Sequence, residues 1–442
     1  MGLFLLEFIE LGRMVFPGCG ALIVGWLLYG QETIMVNDSF KSETTIEEEK
    51  KEDDDGDSVT PWVVTAIDKK GIDYDKLIVK FGCYKITEDL ISRFERVTAQ
   101  KAHPMLRRGL FFAHRDLSLI LDRVEQKKPF FLYTGRGPSS GSLHLGHLVP
   151  FLFTKWLQDV FDVPLIIQIT DDEKFLWKNH ALDEVKHMAN ENMKDIIACG
   201  FTPDTTFMFL DTEYMCPSFY TNIVKIWKLV TLNQARSIFG FSGEDSMGKA
   251  AFPAVEAAPC FSTSFPSIFG GRGDIPCIIP CAIDQDPYFR MCRDVAPKLK
   301  FPKPAMIYSS FLPALQGAQG KMAASDATTC IYLDDTAKQI KNKVNKYAFS
   351  GGRDTIEEHR KYGGNCDVDI SFQFLRYFME DDDKLESIRE RYTSGELLTG
   401  ELKAIAIKEV QRVVAELQQR RKEVTNETVK SFTIPRRLKY TY

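Results

Sequence analysis

An α/β fold, built on a doubly wound parallel sheet and followed by an all-helical C-terminal block, is what the 442-residue sequence predicts. Three observations carry that expectation. Residues 129–134 form a short apolar run of the kind a buried parallel strand requires. A Gly/Ser-rich turn over 135–141, a stretch of helical apolar period over 143–161 and a second apolar run over 163–170 complete a strand–helix–strand unit. Beyond Ala337 the apolar positions keep helical spacing to about Val424, with charge on the opposite face.

Taken in chain order, residues 1–36 are an atypical apolar N-terminus. Residues 14–31 carry no charge, and eighteen such residues sit at the lower limit of a bilayer span. A membrane anchor, a secretory signal and a leader ahead of a working start at Met35 are the three readings. Glu7 and Glu10 disfavour a signal, and Pro17, Gly18, Gly20 and Gly25 weaken a helix, so the third is preferred. The expected location is the cytoplasm, with no membrane for the folded body. Residues 37–58 are an acidic linker whose side chains bury too little apolar surface to offset ordering entropy.

The folded body is expected to begin near Val59. In segment 59–128, two β-rich runs flank a Lys69-Lys70-Gly71 turn, and helices follow over 86–126 with Pro104 interrupting. Segment 129–336 holds the α/β domain, with another apolar strand at 277–282 and a small-residue loop at 315–326. Segment 337–442 is the helical domain.

Composition narrows the function. With 44% hydrophobic and 26% charged residues, the chain is an ordinary globular protein with a sizeable core, neither fibrous nor wholly disordered. Its net charge of −5 excludes binding nucleic acid by overall charge. Residues 37–57 alone contribute −7, ten acids against three lysines, so the remainder is close to neutral at +2. Arg412, Arg420, Arg421, Lys422, Lys430, Arg436, Arg437 and Lys439 leave a basic stretch near the C-terminus. The ten cysteines include no CxxC pair and match no zinc spacing; reduced, mostly buried thiols are expected, and no metal site of the protein's own.

The chemistry is concentrated after the first strand. There stands Pro138-Ser-Ser-Gly-Ser-Leu-His144-Leu-Gly146-His147, two histidines three apart at a helix start and therefore on one face. A helix N-terminus adds positive potential and free N–H groups, which favour an anion such as a triphosphate. Gly146 lets a flat group such as adenine approach the backbone. Alone, the pair reads equally well as two ordinary histidines. A Lys321-Met322-Ala323-Ala324-Ser325 loop about 175 residues later decides between them.

A strand–HxGH–helix paired with a Lys-Met-x-x-Ser loop is similar to the nucleotide site of class I aminoacyl-tRNA synthetases. Longer motifs go further. YTGRGPSS (133–140), TKWLQDVF (154–161), QITDDEKFLWK (168–178), KDIIACGF (194–201), CAIDQDPYFRMCRDVAP (281–297), PALQGAQGKMAAS (313–325) and AFSGGRDTIEEHR (348–360) closely resemble the eukaryotic cytosolic tryptophanyl-tRNA synthetase family, from about Trp62 onward.

That resemblance implies a Rossmann-like catalytic domain with a helical anticodon-binding domain, a homodimer, and tRNA(Trp), L-tryptophan and ATP with Mg2+ as the molecules handled. It implies that His144, His147, Lys321 and Ser325 act on ATP, with Gly135, Arg136, Gly146, Met322, Trp62 and Val64 also at the nucleotide. Tyr133 and Gln168 would read the indole N–H, Glu173 and Glu256 the substrate ammonium, and Gln285 the head group. Arg353 and Asp354 would meet the anticodon, and the basic C-terminal residues the tRNA phosphates. Three positions depart from the family: Glu256 stands where glutamine is expected, Ala323 where serine is, and Gly141 where glutamate is. With the unusual N-terminus, these departures support an alternative, a catalytically impaired copy acting as an anti-angiogenic-like signal. Another HxGH nucleotidyltransferase is disfavoured by the helical block, and a tyrosine-specific synthetase by Gln168.

Overall fold

The computed structural model describes residues 57–68, 70–324 and 326–442. The readings of 1–36, of nearly all the acidic linker and of Ser325 lie outside the described residues. Among the described residues no helix is long and apolar enough to cross a membrane.

Eleven strands form two sheets: β1 Ser58–Val59, β2 Val64–Thr65, β3 Tyr84–Lys85, β4 Phe111–Arg115, β5 Phe131–Arg136, β6 Leu165–Ile169, β7 Thr206–Leu210, β8 Cys277–Ala282, β9 Ala305–Ser309, β10 Pro313–Ala314 and β11 Gly317–Lys321. The main sheet runs β3-β4-β9-β8-β5-β6-β7. Its five strands from β9 to β7 are parallel, and β4 and β3 close one edge antiparallel. Chain order moves outward from β5 to β7 on one side and then through β8 and β9 on the other. This is double winding, and it places a switch point between β5 and β8, where open α/β sheets bind ligands.

Because successive side chains alternate across a parallel strand, each run feeds two cores. Leu165, Ile167 and Ile169 join one with Leu148, Val149, Phe153 and Leu157 of the Leu145–Phe161 helix. Phe131, Tyr133, Ile166, Phe207 and Phe209 face the other, against the Pro217–Leu229, Met247–Ala257 and Asp286–Val295 helices. Burial on both sides explains why these runs are continuously apolar.

The structure corrects the first segment. A strand, β4, lies inside 86–126, which reads as helical: Phe111-Phe-Ala-His-Arg is too short for period to separate buried strand from helix. β7 and β9 escape the sequence reading for the same reason. The first hairpin turns at 60–63, where the Thr60 N–H donates to the Val63 carbonyl at 2.8 Å, and not at Lys69-Lys70-Gly71. The 315–326 loop contains β11, which pairs with β10 and, through Gly320 and Thr65, with that hairpin.

The helical block comprises Ala337–Tyr347, Ile356–Tyr362, Ile370–Phe378, Asp382–Thr393, Thr399–Arg421 and Asn426–Thr433. The basic stretch here does not stand free for phosphates. Arg421 meets Asp195 at 2.5 Å and Glu191 at 2.6 Å, Arg420 donates to the Ala198 carbonyl at 2.6 Å, and Arg436 donates to the Thr206 carbonyl at 2.8 Å. Arg412 pairs within its own helix to Glu409 and Glu416, and Lys439 pairs with Asp162. Arg420, Arg421 and Arg436 fasten the block to the Leu182–Ile197 helix, to Ala198 just beyond it and to edge strand β7. Lys422, Lys430 and Arg437 stay exposed.

Candidate active site

A cavity of about 330 Å³ opens at the switch point. The end of β5 supplies Thr134, Gly135 and Arg136, the first helical turn supplies His144, Gly146 and His147, and the β8 end supplies Asp284 and Gln285. Glu173, Lys174 and Glu256 line another side, and Lys321 and Met322 close it from β11. Ten of the expected site residues thus share one cavity, drawn from sequence positions nearly 190 apart.

His144 caps the Leu145–Phe161 helix, its carbonyl accepting from the N–H of Leu148 at 3.2 Å. The two imidazoles stack with centroids 3.5 Å apart. Gly146 eases this arrangement: a Cβ there would sit 3.1 Å from two atoms of the His144 ring, which would have to shift by a few tenths of an ångström. Arg136 donates to His147 Nε2 at 3.0 Å and to Asn192 at 3.0 Å. Both ring nitrogens of His144 and Nη2 of Arg136 are buried without a hydrogen-bond partner, so three polar atoms remain for a ligand. Burial, helped by Arg136 and then Lys321, lowers the His144 pKa to about 3, and burial with Arg136 pushes His147 well below its usual value. Both imidazoles are therefore neutral at physiological pH. Arg136, whose pKa burial lowers to about 10, is still a cation there.

The loop entering the helix is tied from behind. The Leu143 N–H donates to Asp195 at 3.0 Å, and Asn192 donates to the Ser140 carbonyl at 2.7 Å. Asp195 is the same carboxylate that Arg421 holds. Gly141, where the family has glutamate, is exposed with open space around its Cβ direction, so glycine is not demanded by packing.

Lys321 reaches Asp284 at 2.7 Å and lies over the Phe311 ring. Met322 is buried, whereas Ala323 presents only backbone, which exchanges 3.2 Å hydrogen bonds with Thr329. Trp62 and Val64 do not line the cavity; Pro61 does. The tight turn swings Trp62 outward to stack on Trp177, with centroids 6.1 Å apart, and turns Val64 into the neighbouring core.

The carboxylate side is dense. Glu173 accepts from Lys174 at 2.7 Å and from the Thr170 hydroxyl at 2.9 Å. Glu256 sits 3.8 Å from where a Gly135 Cβ would be, and it is buried. Burial first, then Glu173 and Asp172, raises its pKa to about 8. Gly137 is a glycine with a reason that sequence does not reveal: a Cβ would fall 2.2 Å from Lys174 Cε and 2.5 Å from a Glu173 oxygen.

Tyr133 and Gln168 meet, but beneath the cavity and outside its wall. The tyrosine hydroxyl donates to Gln168 Oε1 and lies 3.0 Å from the Glu256 carbonyl, and both residues are fully buried. Arg353, donating to the Gly363 carbonyl at 3.1 Å, and Asp354 are exposed on the helical block, away from this cavity. Sequence reasoning missed Asp284 and Lys174, each adjacent to a residue it named, and Asp211, which meets Gln168 only in space and carries no signal in the sequence. For the first two the signal available was the charged runs AIDQD and TDDEK.

A doubly wound sheet whose first crossover helix opens on HxGH, facing a lysine on a distant strand, defines a class I aminoacyl-tRNA synthetase. The comparisons agree. A family model described as class I tRNA synthetases (W and Y) matches residues 125–255 and 275–415. The cytoplasmic tryptophan–tRNA ligase of Bos taurus is 63% identical over 88% of this chain and 82% of its own. A crystal structure of the Plasmodium falciparum tryptophanyl-tRNA synthetase is 50% identical with a TM-score of 0.78, covering 82% of this chain and 98% of that one. The Encephalitozoon cuniculi enzyme, solved bound to tryptophan, is 45% identical at a TM-score of 0.77, with the same coverage. The chain belongs to the class I tRNA synthetase family of the W and Y type.

Proposed function

We propose that this chain is a tryptophan–tRNA ligase, activating L-tryptophan with ATP and passing it to tRNA(Trp). The observation that carries the reading is one cavity holding neutral phosphate donors and cations on one side and a carboxylate group on the other. The tryptophan carboxylate oxygen attacks the α-phosphorus of ATP, and the bond to the bridging oxygen breaks, releasing pyrophosphate. A ribose hydroxyl of the tRNA then attacks the adenylate carbonyl and AMP leaves.

His144 offers a neutral ring N–H and Arg136 Nη2 a charged one to phosphate oxygens, His147 orients that guanidinium by accepting from it, and Lys321 supplies further charge. Lys321 leaves Asp284 to neutralise the departing pyrophosphate, so stabilisation concentrates where charge develops. Ser325 and the Met322 backbone complete the nucleotide loop, and Gly135 and Gly146 admit the purine. Glu173 and Glu256 take the ammonium, and Gln285 the carboxylate end. Tyr133 and Gln168 accept the indole N–H once tryptophan opens the floor above them; phenylalanine offers no such proton. Mg2+ would come with ATP, as part of the substrate.

The helical segment 337–442 would serve the anticodon, with Arg353 and Asp354 exposed for it. An apolar stripe of Tyr220, Val224 and Trp227 on the Pro217–Leu229 helix, each exposed, suits a second copy of this chain. The relatives are named cytoplasmic enzymes, which fits cytoplasmic work here. No observation favours the signalling alternative.

Tryptophan-dependent exchange of labelled pyrophosphate into ATP, followed by charging of tRNA(Trp), tests the reading. A folded protein that exchanges nothing sinks it, and exchange with tyrosine alone sinks its specificity.

A further inference from the structure

Asp211 follows β7 directly and is fully buried. Gln168 Nε2 donates to its Oδ1 at 2.7 Å, with a second, longer approach to the Val255 carbonyl at 3.4 Å. Its Oδ2 is buried and has no hydrogen-bond partner. The segment is pinned in turn by Asp171, which accepts from the Thr212 N–H at 3.2 Å and the Thr212 hydroxyl at 2.5 Å.

We infer that Asp211 is a positioning residue for amino-acid recognition: by accepting from Gln168 Nε2 it holds Gln168 Oε1 toward the indole subsite. An amide can flip, and a flipped Gln168 would offer a donor where an N–H must be received. Two acceptors, Asp211 Oδ1 and the Val255 carbonyl, claim both hydrogens of Nε2. Only Oε1 is then left for the tyrosine hydroxyl and the ligand.

The neighbours explain how Asp211 keeps this role in a buried site. Asp172 lies beside it from the Asp171–Trp177 helix, Glu256 from the Met247–Ala257 helix and Tyr133 from β5. Burial, then the Asp172 charge, raises the Asp211 pKa strongly, and burial raises that of Asp172 to about 6. Two adjoining carboxyls share one proton, as repulsion demands. With it on Asp211 Oδ2, Oδ1 remains a pure acceptor. Asparagine keeps the acceptor that matters, Oδ1 accepting from Gln168, and turns an uncharged Nδ2 toward Asp172.

The inference rests on the tryptophan–tRNA ligase reading, and the experiment separates the two. Pyrophosphate exchange is measured for wild type, Asp211→Ala and Asp211→Asn, with tryptophan, phenylalanine and an indole-free isostere, benzothienylalanine. Asp211→Ala is expected to raise KM for tryptophan about tenfold or more, to leave KM for ATP unchanged and to narrow tryptophan-over-benzothienylalanine selectivity by a similar factor. Asp211→Asn is expected within about threefold of wild type. Asp211→Leu, isosteric and apolar, replaces the alanine variant if that fails to fold. Unchanged tryptophan KM and selectivity in the alanine or leucine variant overturns the inference, as does an asparagine variant impaired as badly as alanine. A wild-type protein with no tryptophan-dependent exchange overturns the parent reading itself.

Discussion

Replacing Glu256 with glutamine should stabilise the protein, and should do so only as pH rises. The buried carboxyl faces Glu173 and Asp172, and its pKa stands at about 8 against an ordinary 4.5. The folded state therefore binds a proton that the unfolded state has released throughout that window, so wild-type stability falls as pH climbs from 4.5 to 8. At about 1.36 kcal/mol per pH unit, the full cost of the ionised form is roughly 5 kcal/mol above pH 8 and about 3 kcal/mol at pH 7. Glutamine carries none of it. The stability difference between Glu256→Gln and wild type should be near zero at pH 4.5 and grow steadily to a plateau past pH 8. Unfolding midpoints across pH 4.5–9 measure it. Substrate adds a second readout, because the tryptophan ammonium lowers the Glu256 pKa and binding must then release a proton near pH 7. Calorimetric titration in buffers of different ionisation enthalpy detects that proton in wild type and not in the variant. A stability difference flat with pH, or one largest in acid, refutes the account of a neutral buried acid.

Three further outcomes are expected. Lys321→Ala should lower kcat for pyrophosphate exchange by about 10²–10³-fold with little change in KM for tryptophan, since its contact matters most as pyrophosphate departs; steady-state exchange kinetics checks this. Gly137→Ala should fold normally, because flexible side-chain ends can move from the new Cβ, yet it should raise KM for tryptophan by displacing Glu173 and Lys174 from the cavity. Arg421→Ala strands the buried Asp195 carboxylate and should cost about 1–3 kcal/mol in denaturant unfolding, while also raising KM for ATP through Leu143.

Much of the centre of this fold is legible from residues alone. The apolar runs ending at Thr134 and Thr170, with a helix-period stretch between, are long enough for pattern to name both elements, and HxGH with its lysine partner marks the nucleotide side. Strand β4 was not legible, since a five-residue run with four buried residues and no alternation looks alike in either state. The basic C-terminal stretch misled for a different reason: a cation's sequence neighbourhood does not disclose a carboxylate more than 200 positions away, and Arg421 spends its charge on Asp195. Asp211 was hidden likewise, because its meaning depends on the strand register that sets Phe209 beside Gln168. Tyr133 and Gln168 were named by resemblance, but nothing in the letters indicates that they bond to each other outside the cavity wall.

The line of contacts from Arg421 through Asp195 to Leu143 limits how this protein can be dissected. A helix of the C-terminal block supplies an ion to the segment that opens the nucleotide-binding helix, so the seam between the two halves is drawn through hydrogen bonds and not through a pliant tether. Grafting the helical block of a relative onto this sheet would preserve nucleotide handling only where both banks of that seam travel together. In this architecture the helical block and the sheet are coupled through a buried carboxylate and cannot be exchanged independently.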